Sequence, residues 1–307
     1  MRVSAHLAAF LLPTGRLAAF LLPTGTGLAL GIALVLGLPQ GGPLTVKAGQ
    51  AAGVTAAANP PVPSRPAVLL AAHRALYQLA LDTSRGGRQI AAAHGTMGYE
   101  VTDTCDGWAS RQRLRMTISS GEGQDTEMES DYVTWESKDG TSFRFHMVQK
   151  TDSTITSQTD GSARLTRAGG PGEVQYRVPK DKKVSLPRGT VFPMAHTAAI
   201  LAAAREGRKF VGLPLFDGTD ENGYEDSSVA ILDWKPPFQT KHSMLTPLAN
   251  TRVRLAFFDH AGGAATPTYE VGMRYWENGV ADDMAMDFGD FVMKATLTEL
   301  SPIPRRC

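Results

Sequence analysis

The 307-residue sequence predicts a mainly β protein in the form of a barrel, a sandwich or a strongly curved sheet. The first observation is a period of two in apolar and polar residues, which is typical of strands with one buried face. The second is a pair of tight-turn sequences, Asp139-Gly140 and Asn278-Gly279, each following a strand-like segment. The third is a hydrophobic content of 42%, which is too high for a disordered chain.

The overall composition excludes several classes of protein. With 31 Lys and Arg against 30 Asp and Glu, the formal net charge of +1 gives no reason to expect a nucleic-acid partner. The 2 cysteines are too few for a four-cysteine zinc site or for a small disulfide-rich fold.

The N-terminal part of the chain has the pattern of an export signal. No Asp or Glu precedes Asp82, and Arg2 and Arg16 precede an uninterrupted apolar run at residues 28–38. That run is shorter than the roughly 20 apolar residues that span a bilayer, and small residues follow it. We therefore predict a secretory signal peptide that is cleaved after Ala48.

These observations predict three regions: a signal peptide at residues 1–48, a disordered tether rich in Ala, Pro and Val at 49–66, and a single domain at 67–307. An uncleaved anchor helix is the alternative for the first region. Pro13 and Pro23 interrupt the longer helix that such an anchor needs.

The first folded segment, residues 68–81, combines two patterns. Its first part is rich in Ala and Leu, whereas Tyr77, Leu79 and Leu81 alternate with other residues further on. We predict a short helix that passes into a strand.

Residues 108–118 give the clearest strand pattern. Alternation places Trp108, Ser110, Gln112, Leu114, Met116 and Ile118 on one face. Three arginines at positions 111, 113 and 115 then share the opposite face, which we interpret as a solvated row. Binding of an anionic headgroup by this row is the alternative.

Further elements follow along the chain. One interior helix is predicted over residues 193–206, because Pro193 suits a first helical turn and Gly207 suits a helix end. The other segments with strand patterns are 95–101, 131–137, 141–150, 163–167, 173–178, 183–186, 210–216, 228–234, 251–259, 269–276 and 291–297.

The sequence contains no motif or spacing that we associate with catalysis or metal binding. The histidines of the mature chain are dispersed, so each is expected on the surface or hydrogen-bonded in the core. In the acidic loop at 217–223, an EF-hand register places Gly218 and Val229 where carboxylates are required, so we interpret it as a polar turn. We predict no catalytic residue, no metal and no cofactor.

Late in the chain, four aspartates form an acidic set: Asp282, Asp283, Asp287 and Asp290. We interpret them as turn residues and as a solvated sheet face. The alternative is a hydrolase in which two such carboxylates supply general acid–base catalysis.

Several motifs keep their order from about residue 68 to the end of the chain and together carry a resemblance. They are His73-Arg74-Ala75, Gly95-Thr96-Met97-Gly98-Tyr99-Glu100, Cys105-Asp106-Gly107-Trp108, Phe143-Arg144-Phe145, Leu186-Pro187, Leu215-Phe216-Asp217-Gly218-Thr219-Asp220, Glu277-Asn278-Gly279 and Gly289-Asp290-Phe291. In these motifs the chain resembles the EipB family of cell envelope integrity proteins from alphaproteobacteria.

The resemblance implies a periplasmic protein with a long antiparallel sheet curled into an open spiral or half-barrel, with one or two short helices. That architecture is similar to carriers of the LolA/LolB type. The resemblance also implies a role in envelope maintenance without an established enzymatic reaction, and it maps the family's paired cysteines onto Cys105 and Cys307.

An intramolecular Cys105–Cys307 bridge also fits an exported chain with two cysteines, because the compartment is oxidising. Two free thiols and an intermolecular dimer are the alternatives.

For function, we expect a non-enzymatic protein that binds a lipid, a lipoprotein or a periplasmic protein partner, with no membrane span after signal cleavage. The candidate inward apolar face, which on the simplest interpretation is only core, consists of Trp108, Leu114, Met116, Trp135, Phe143 and Phe145. A scaffold that binds proteins alone through an exposed sheet edge is the alternative.

Overall fold

The computed structural model describes residues 68–85, 90–259 and 266–305. Within these residues the chain forms fourteen antiparallel strands in one curled, unclosed sheet and one helix, which confirms the predicted fold class. The predicted signal peptide and tether lie outside the described residues. No helix in the described ranges is long and apolar enough to cross a membrane.

The elements are, in chain order, β1 (His73–Ser84), β2 (Ile90–Asp103), β3 (Gly107–Ser120), β4 (Asp125–Ser137), β5 (Ser142–Thr151), β6 (Thr154–Leu165), β7 (Gly172–Val178), β8 (Lys183–Leu186), α1 (Pro193–Arg205), β9 (Phe210–Leu215), β10 (Glu225–Ile231), β11 (Asn250–Asp259), β12 (Tyr269–Trp276), β13 (Ala281–Asp287) and β14 (Phe291–Pro302).

The sheet consists of two meanders joined at its centre. Strands β1 to β8 pair in chain order, α1 then connects β8 to β9, and β9 to β14 again pair in chain order. The first and last strands, β1 and β14, pair with each other from His73 opposite Pro302 to Ser84 opposite Phe291. This pairing makes a single sheet whose edge strands are β8 and β9.

The two ends of the sheet are linked by a short bridge. Between β8 and α1, Val191 forms a parallel bridge with Leu215 of β9. The Val191 N–H donates to the Pro214 carbonyl at 2.9 Å, and the Phe216 N–H donates to the Val191 carbonyl at 3.0 Å. The spiral therefore comes close to closing at this one place.

The segment at 68–81 differs from its prediction. Residues 68–72 have no regular structure, and β1 begins at His73, so the predicted helix is wrong. The segment forms a strand because the alternating residues Ala75, Tyr77 and Leu79 all point into the core, with exposures of 2% or less.

The hairpin and helix predictions are confirmed. Gly140, with a φ of 66°, turns the chain between β4 and β5, as the Asp-Gly sequence predicts. Helix α1 begins at Pro193 and ends at Arg205, and Ile200, Leu201 and Ala203 on it are fully buried.

The interior is divided into two clusters. The larger one packs α1 against the inward faces of β1 to β4 and β9 to β14. The smaller one joins β5 to β8 with Phe192 before α1 and Phe216 after β9. Its buried members are Phe143, Phe145, Ala163, Leu165, Val174, Tyr176, Leu186, Phe192 and Phe216. Aromatic rings dominate the smaller cluster, with Phe143 and Phe192 stacked at 5.0 Å between ring centroids.

The aromatic cluster yields a stability prediction. Phe216 is fully buried and contacts several of the other rings edge-on, so Phe216→Ala should lower the free energy of unfolding by about 3–5 kcal/mol. Phe210→Ala is the matched control, because Phe210 is 73% exposed and should change stability by about 0.5 kcal/mol or less. Urea unfolding followed by circular dichroism measures both, and equal losses for the two variants would contradict the proposed packing role.

Candidate functional site

A cavity of about 200 Å³ lies inside the curl, between the sheet and α1. It separates the inward faces of β1 to β4 from those of β11 to β13. The residues that line it are His73, Tyr77, Met97, Tyr99, Ser110, Gln112, Tyr132, Thr134, Pro193, Met194, His196, Thr197, Leu215, Asp217, Thr219, Leu255, Phe257, Val271, Met273, Tyr275, Gly279, Ala281 and Met284.

One wall of the cavity carries a row of polar side chains. Tyr99 of β2, Gln112 of β3 and Tyr132 of β4 lie directly opposite one another in the strand register. One inward position along, the hydroxyls of Ser110 and Thr134 are 2.6 Å apart. The wall is thus able to form hydrogen bonds, although it lies inside the protein.

The opposite wall is apolar. It is built from Leu255, Phe257, Val271 and Met273 of β11 and β12. A tyrosine hydroxyl at its boundary is already satisfied, because Tyr77 donates to the carbonyl of Ala281 at 2.8 Å. A ligand in the cavity therefore meets hydrogen-bonding groups on one side and hydrocarbon on the other.

The polar loop after β9 closes part of the cavity. Three sheet hydroxyls donate to its backbone carbonyls: Tyr132 to Asp217, Thr159 to Gly218, and Tyr176 to Asp220. Gly218 has a φ of 78°, and a Cβ at this position would lie 2.3 Å from the ring of Phe145, so only glycine fits. The carbonyls thus anchor the loop to the sheet.

Asp217 and His196 are among the titratable side chains of the cavity that burial shifts toward their neutral forms. Burial raises the pKa of Asp217 to about 7, although Thr219 donates to this carboxylate from its N–H and its hydroxyl at 2.9 and 2.7 Å. Burial lowers the pKa of His196 to about 4, and its Nε2 lies 2.9 Å from the hydroxyl of Ser227. Both shifts follow from the loss of water around the charged form.

A buried carboxylate holds the N-terminus of α1. Glu136 of β4 accepts hydrogen bonds from the N–H groups of Met194 and Ala195, at 2.7 and 2.9 Å. Burial raises its pKa to about 7 despite these two bonds. Glu136 thereby fixes the position of Met194, which lines the cavity.

Met194 also lines a neighbouring groove of about 570 Å³. The groove has apolar surface from Leu70, Trp108 and Ile303, and Lys138 lies 5.0 Å from the centre of the Trp108 ring. The cavity and the groove are therefore neighbours on either side of one flexible side chain.

The predicted inward residues divide into several groups. Leu114 and Met116 are buried in the larger cluster, and Phe143 and Phe145 in the smaller one. Trp108 is half-buried and lines the groove. The sequence set therefore belongs mostly to the core, and none of its members lines the cavity.

The predicted inward position of Trp135 is wrong. On β4 the inward residues are Thr134 and Glu136, so Trp135 lies on the outer face. The guanidinium of Arg144 lies 4.3 Å from the centre of the Trp135 ring. The indole Nε1 of Trp135 donates to the Thr104 hydroxyl at 3.1 Å. A cationic neighbour and a polar partner stabilise this tryptophan outside the core.

The other predicted residues lie apart from the cavity. The three arginines of β3 are exposed, as predicted, and form ion pairs on the outer face with Asp131 and Glu129. Asp287 is held by Arg85 at 2.8 Å. No group of three His, Cys, Asp or Glu suited to a metal occurs within the described ranges.

Most of the residues that line the cavity could not be identified from the sequence pattern. Tyr132 and Asp217 carry no spacing that marks them as a group. Ser110 and Gln112 did carry a signal, because alternation placed both on the inward row of an otherwise apolar face. A polar residue at an inward position is informative since it needs a partner there.

Cys105 lies in the turn between β2 and β3, close to the C-terminal segment. Its N–H donates to Asp103 at 2.9 Å, and its φ is 74°. Asp103 also forms ion pairs with Lys138 at 2.5 Å and with Arg305 at 2.8 Å. These cations hold the pKa of the Asp103 carboxyl below its usual range. Cys307 lies outside the described residues, so the bridge stays a prediction.

Comparison with known proteins gives a consistent result. A family model described as EipB-like matches residues 64–304. The cell envelope integrity protein EipB of Brucella abortus (strain 2308) is 28% identical over 242 residues, covering 76% of this chain and 85% of that protein. A crystal structure titled as a beta-barrel-like protein of domain of unknown function DUF1849, from Brucella abortus, has a TM-score of 0.70 and 27% identity, covering 78% of this chain and 100% of that chain.

The pKa of Asp217 predicts a pH dependence of stability. A carboxyl whose pKa is about 7 in the folded state and about 4 in the unfolded state stabilises the fold at low pH and loses that contribution as the pH rises to 7. Asp217→Asn keeps the acceptor oxygen and cannot ionise, so its stability should fall less between pH 4.5 and pH 8, by roughly 1 to 3 kcal/mol. Urea titrations at both pH values, with the exposed Asp226→Asn as control, check this, and an unchanged pH slope would contradict it.

The position of Arg305 supports a prediction for the cysteines. Arg305 contacts Asp103, so the chain two residues before Cys307 lies beside the chain two residues before Cys105. A bridge would close a loop of about 200 residues and contribute on the order of 4 to 5 kcal/mol. Cys105→Ser and Cys307→Ser should each lower the Tm, and the double variant should be no worse than either. A reactive thiol, or a reducible dimer, in the unreduced protein would contradict the bridge.

Proposed function

The chain belongs to the EipB-like family, and we propose that it supports the integrity of the cell envelope by binding a partly apolar ligand inside its curled sheet. The envelope role comes from the relative that is named for it. The binding role is supported by one observation above the others, which is the cavity between the sheet and α1 with hydrogen-bonding groups on one wall and hydrocarbon on the other.

The size of the cavity limits what it can hold. At about 200 Å³ it is smaller than the roughly 300–1,000 Å³ of typical ligand pockets, so a whole lipid does not fit. The end of a chain does fit, and the neighbouring groove can hold the remainder once Met194 changes its rotamer. A ligand with a short apolar end and a longer exposed part is the class that suits this geometry.

The sheet edges are less suited to binding a partner strand, which is the main alternative. On β9, Val191 already occupies part of the edge, and Pro214 lacks an N–H. The other edge, β8, has only 4 residues and begins at Lys183. Short strands, lysine and proline are the devices by which proteins protect sheet edges from pairing.

A hydrolase based on the late aspartates has less support than binding. Asp287 is occupied by Arg85, and its Oδ1 also accepts the Gly289 N–H at 3.0 Å. Asp282 lies near Arg274, with 3.9 Å between their closest charged atoms. Neither carboxylate lines the cavity, and the family is named for envelope integrity and not for a reaction.

The periplasm is the compartment in which we propose that the protein acts. The signal-peptide pattern of residues 1–48 supports export, and the relative is named as a cell envelope integrity protein. A cleaved leader and a Cys105–Cys307 bridge would both follow from that location.

Filling the cavity provides the test. Ser110→Phe places a ring in the space that the ligand would occupy, so it should reduce the affinity for an apolar fluorescent probe by at least about tenfold. The same variant should fail to restore detergent resistance to cells that lack the native gene, because ligand binding is proposed to carry the envelope role.

Phe210→Ser is the matched control, because it changes an exposed aromatic on edge strand β9 and leaves the cavity unchanged. It should bind the probe and restore resistance as the native chain does. If Phe210→Ser fails and a folded Ser110→Phe succeeds, the edge scaffold is correct and the binding proposal is wrong.

A further inference from the structure

The amide of Gln112 is the most informative polar group in the cavity. Its Nε2 is buried and has no hydrogen-bond partner among the described residues. A buried N–H group without an acceptor is unfavourable, because it has lost water and gained nothing in exchange. An acceptor atom on a bound ligand would satisfy it once the Gln112 side chain, which lines the cavity, rotates to present the amide.

The charge of the lining indicates what kind of acceptor this is. Among the described residues that line the cavity, none is Lys or Arg. Burial lowers the pKa of both His73 and His196, so neither supplies a cation at neutral pH. Asp217 becomes negative when it ionises. A carboxylate or phosphate ligand would therefore lack a counter-charge, whereas a neutral carbonyl oxygen needs only the N–H donor.

The order of residues along β3 gives the ligand a direction. Its inward side chains are Trp108 in the groove, Ser110 and Gln112 in the cavity, and Leu114 in the core, spaced about 7 Å apart. Polar partners thus lie toward the groove, and hydrocarbon lies beyond Gln112. On the neighbouring strand β2, Met97 lies one inward position deeper than Tyr99 and continues the apolar end.

The volume sets the length of the apolar part. An apolar cavity of roughly 150 Å³ can hold a benzene molecule. By that measure the cavity of about 200 Å³ holds about eight carbon atoms. An acyl segment of this length would reach from the carbonyl at Gln112 into the apolar end.

We propose that the cavity binds the acyl part of a neutral ester, with the chain directed into the core and the carbonyl oxygen accepting a hydrogen bond from Gln112 Nε2. The alcohol part of the ester then passes Ser110 and Met194 toward the groove. This inference rests on the proposed binding function and adds the chemical class of the ligand.

The affinities of three probes with the same chain length test it: monooctanoylglycerol, octanoate at pH 8, and n-octane, each measured by displacement of an apolar fluorescent probe. The native chain should bind the ester at least about tenfold more tightly than octanoate. Gln112→Leu should bind the ester about tenfold more weakly than the native chain and should bind n-octane at least as well. Gln78→Leu, which removes an exposed glutamine from the outer face of β1, should match the native chain.

A second measurement uses the native chain alone. In ¹⁵N-labelled protein, the side-chain amide resonance of Gln112 should shift on addition of monooctanoylglycerol and should respond far less to n-octane. The ester inference is wrong if Gln112→Leu keeps the native ester affinity, if octanoate binds as well as the ester, or if this resonance does not move.

The affinities of the three probes distinguish failure of the ester inference from failure of the proposed binding function. If n-octane binds the native chain without any preference for the ester, the apolar binding function stands and the ester inference fails. If none of the three probes binds, the binding function fails as well.

Discussion

The pairing of β1 with β14 is the constraint on which the rest of the structure depends. Among the named strands, every other pair joins strands that are consecutive in the chain, whereas β1 and β14 are separated by nearly the whole domain. Because they pair, two separate meanders become one sheet that is long enough to curl around its own helix. The cavity depends on this join, since β1 to β4 form one wall and β11 to β13 form the other.

The helix and the loop after β9 cover the inner face of the curled sheet and so complete the walls of the cavity. Glu136 fixes the first turn of α1 through two N–H groups, and three hydroxyls of the sheet fix the loop that carries Asp217. Both carboxyls have a pKa near 7 because they are buried. Asp217 in the cavity and Glu136 beside it are thus largely uncharged below that pH, which suits a ligand that is itself neutral and partly apolar.

Several features were predictable because they depend on neighbours in the sequence. The outward arginines of β3, the hairpin at Gly140 and the helix from Pro193 all follow from local periodicity or turn chemistry. The errors have physical causes as well. Trp135 is apolar enough for a core, and its contacts with Arg144 on the adjacent strand and with the Thr104 hydroxyl stabilise it on the outer face. Strand β13 was not predicted, because Asp282 and Asp283 give its beginning the composition of a turn.

The sequence by itself determined that this chain forms short antiparallel strands with one buried face, where several of them turn, and where its helix lies. A period of two or of 3.6 residues is a local property, because it follows from the directions of successive side chains along a strand or a helix. Only the tertiary structure decided which inward side chains fill the core and which line a cavity. Gln112 and Leu114 occupy the same row of β3, yet one contacts a cavity and the other contacts packed neighbours. That difference arises from the curvature of the whole sheet and from the position of α1 inside it, and both depend on contacts between residues far apart in the chain.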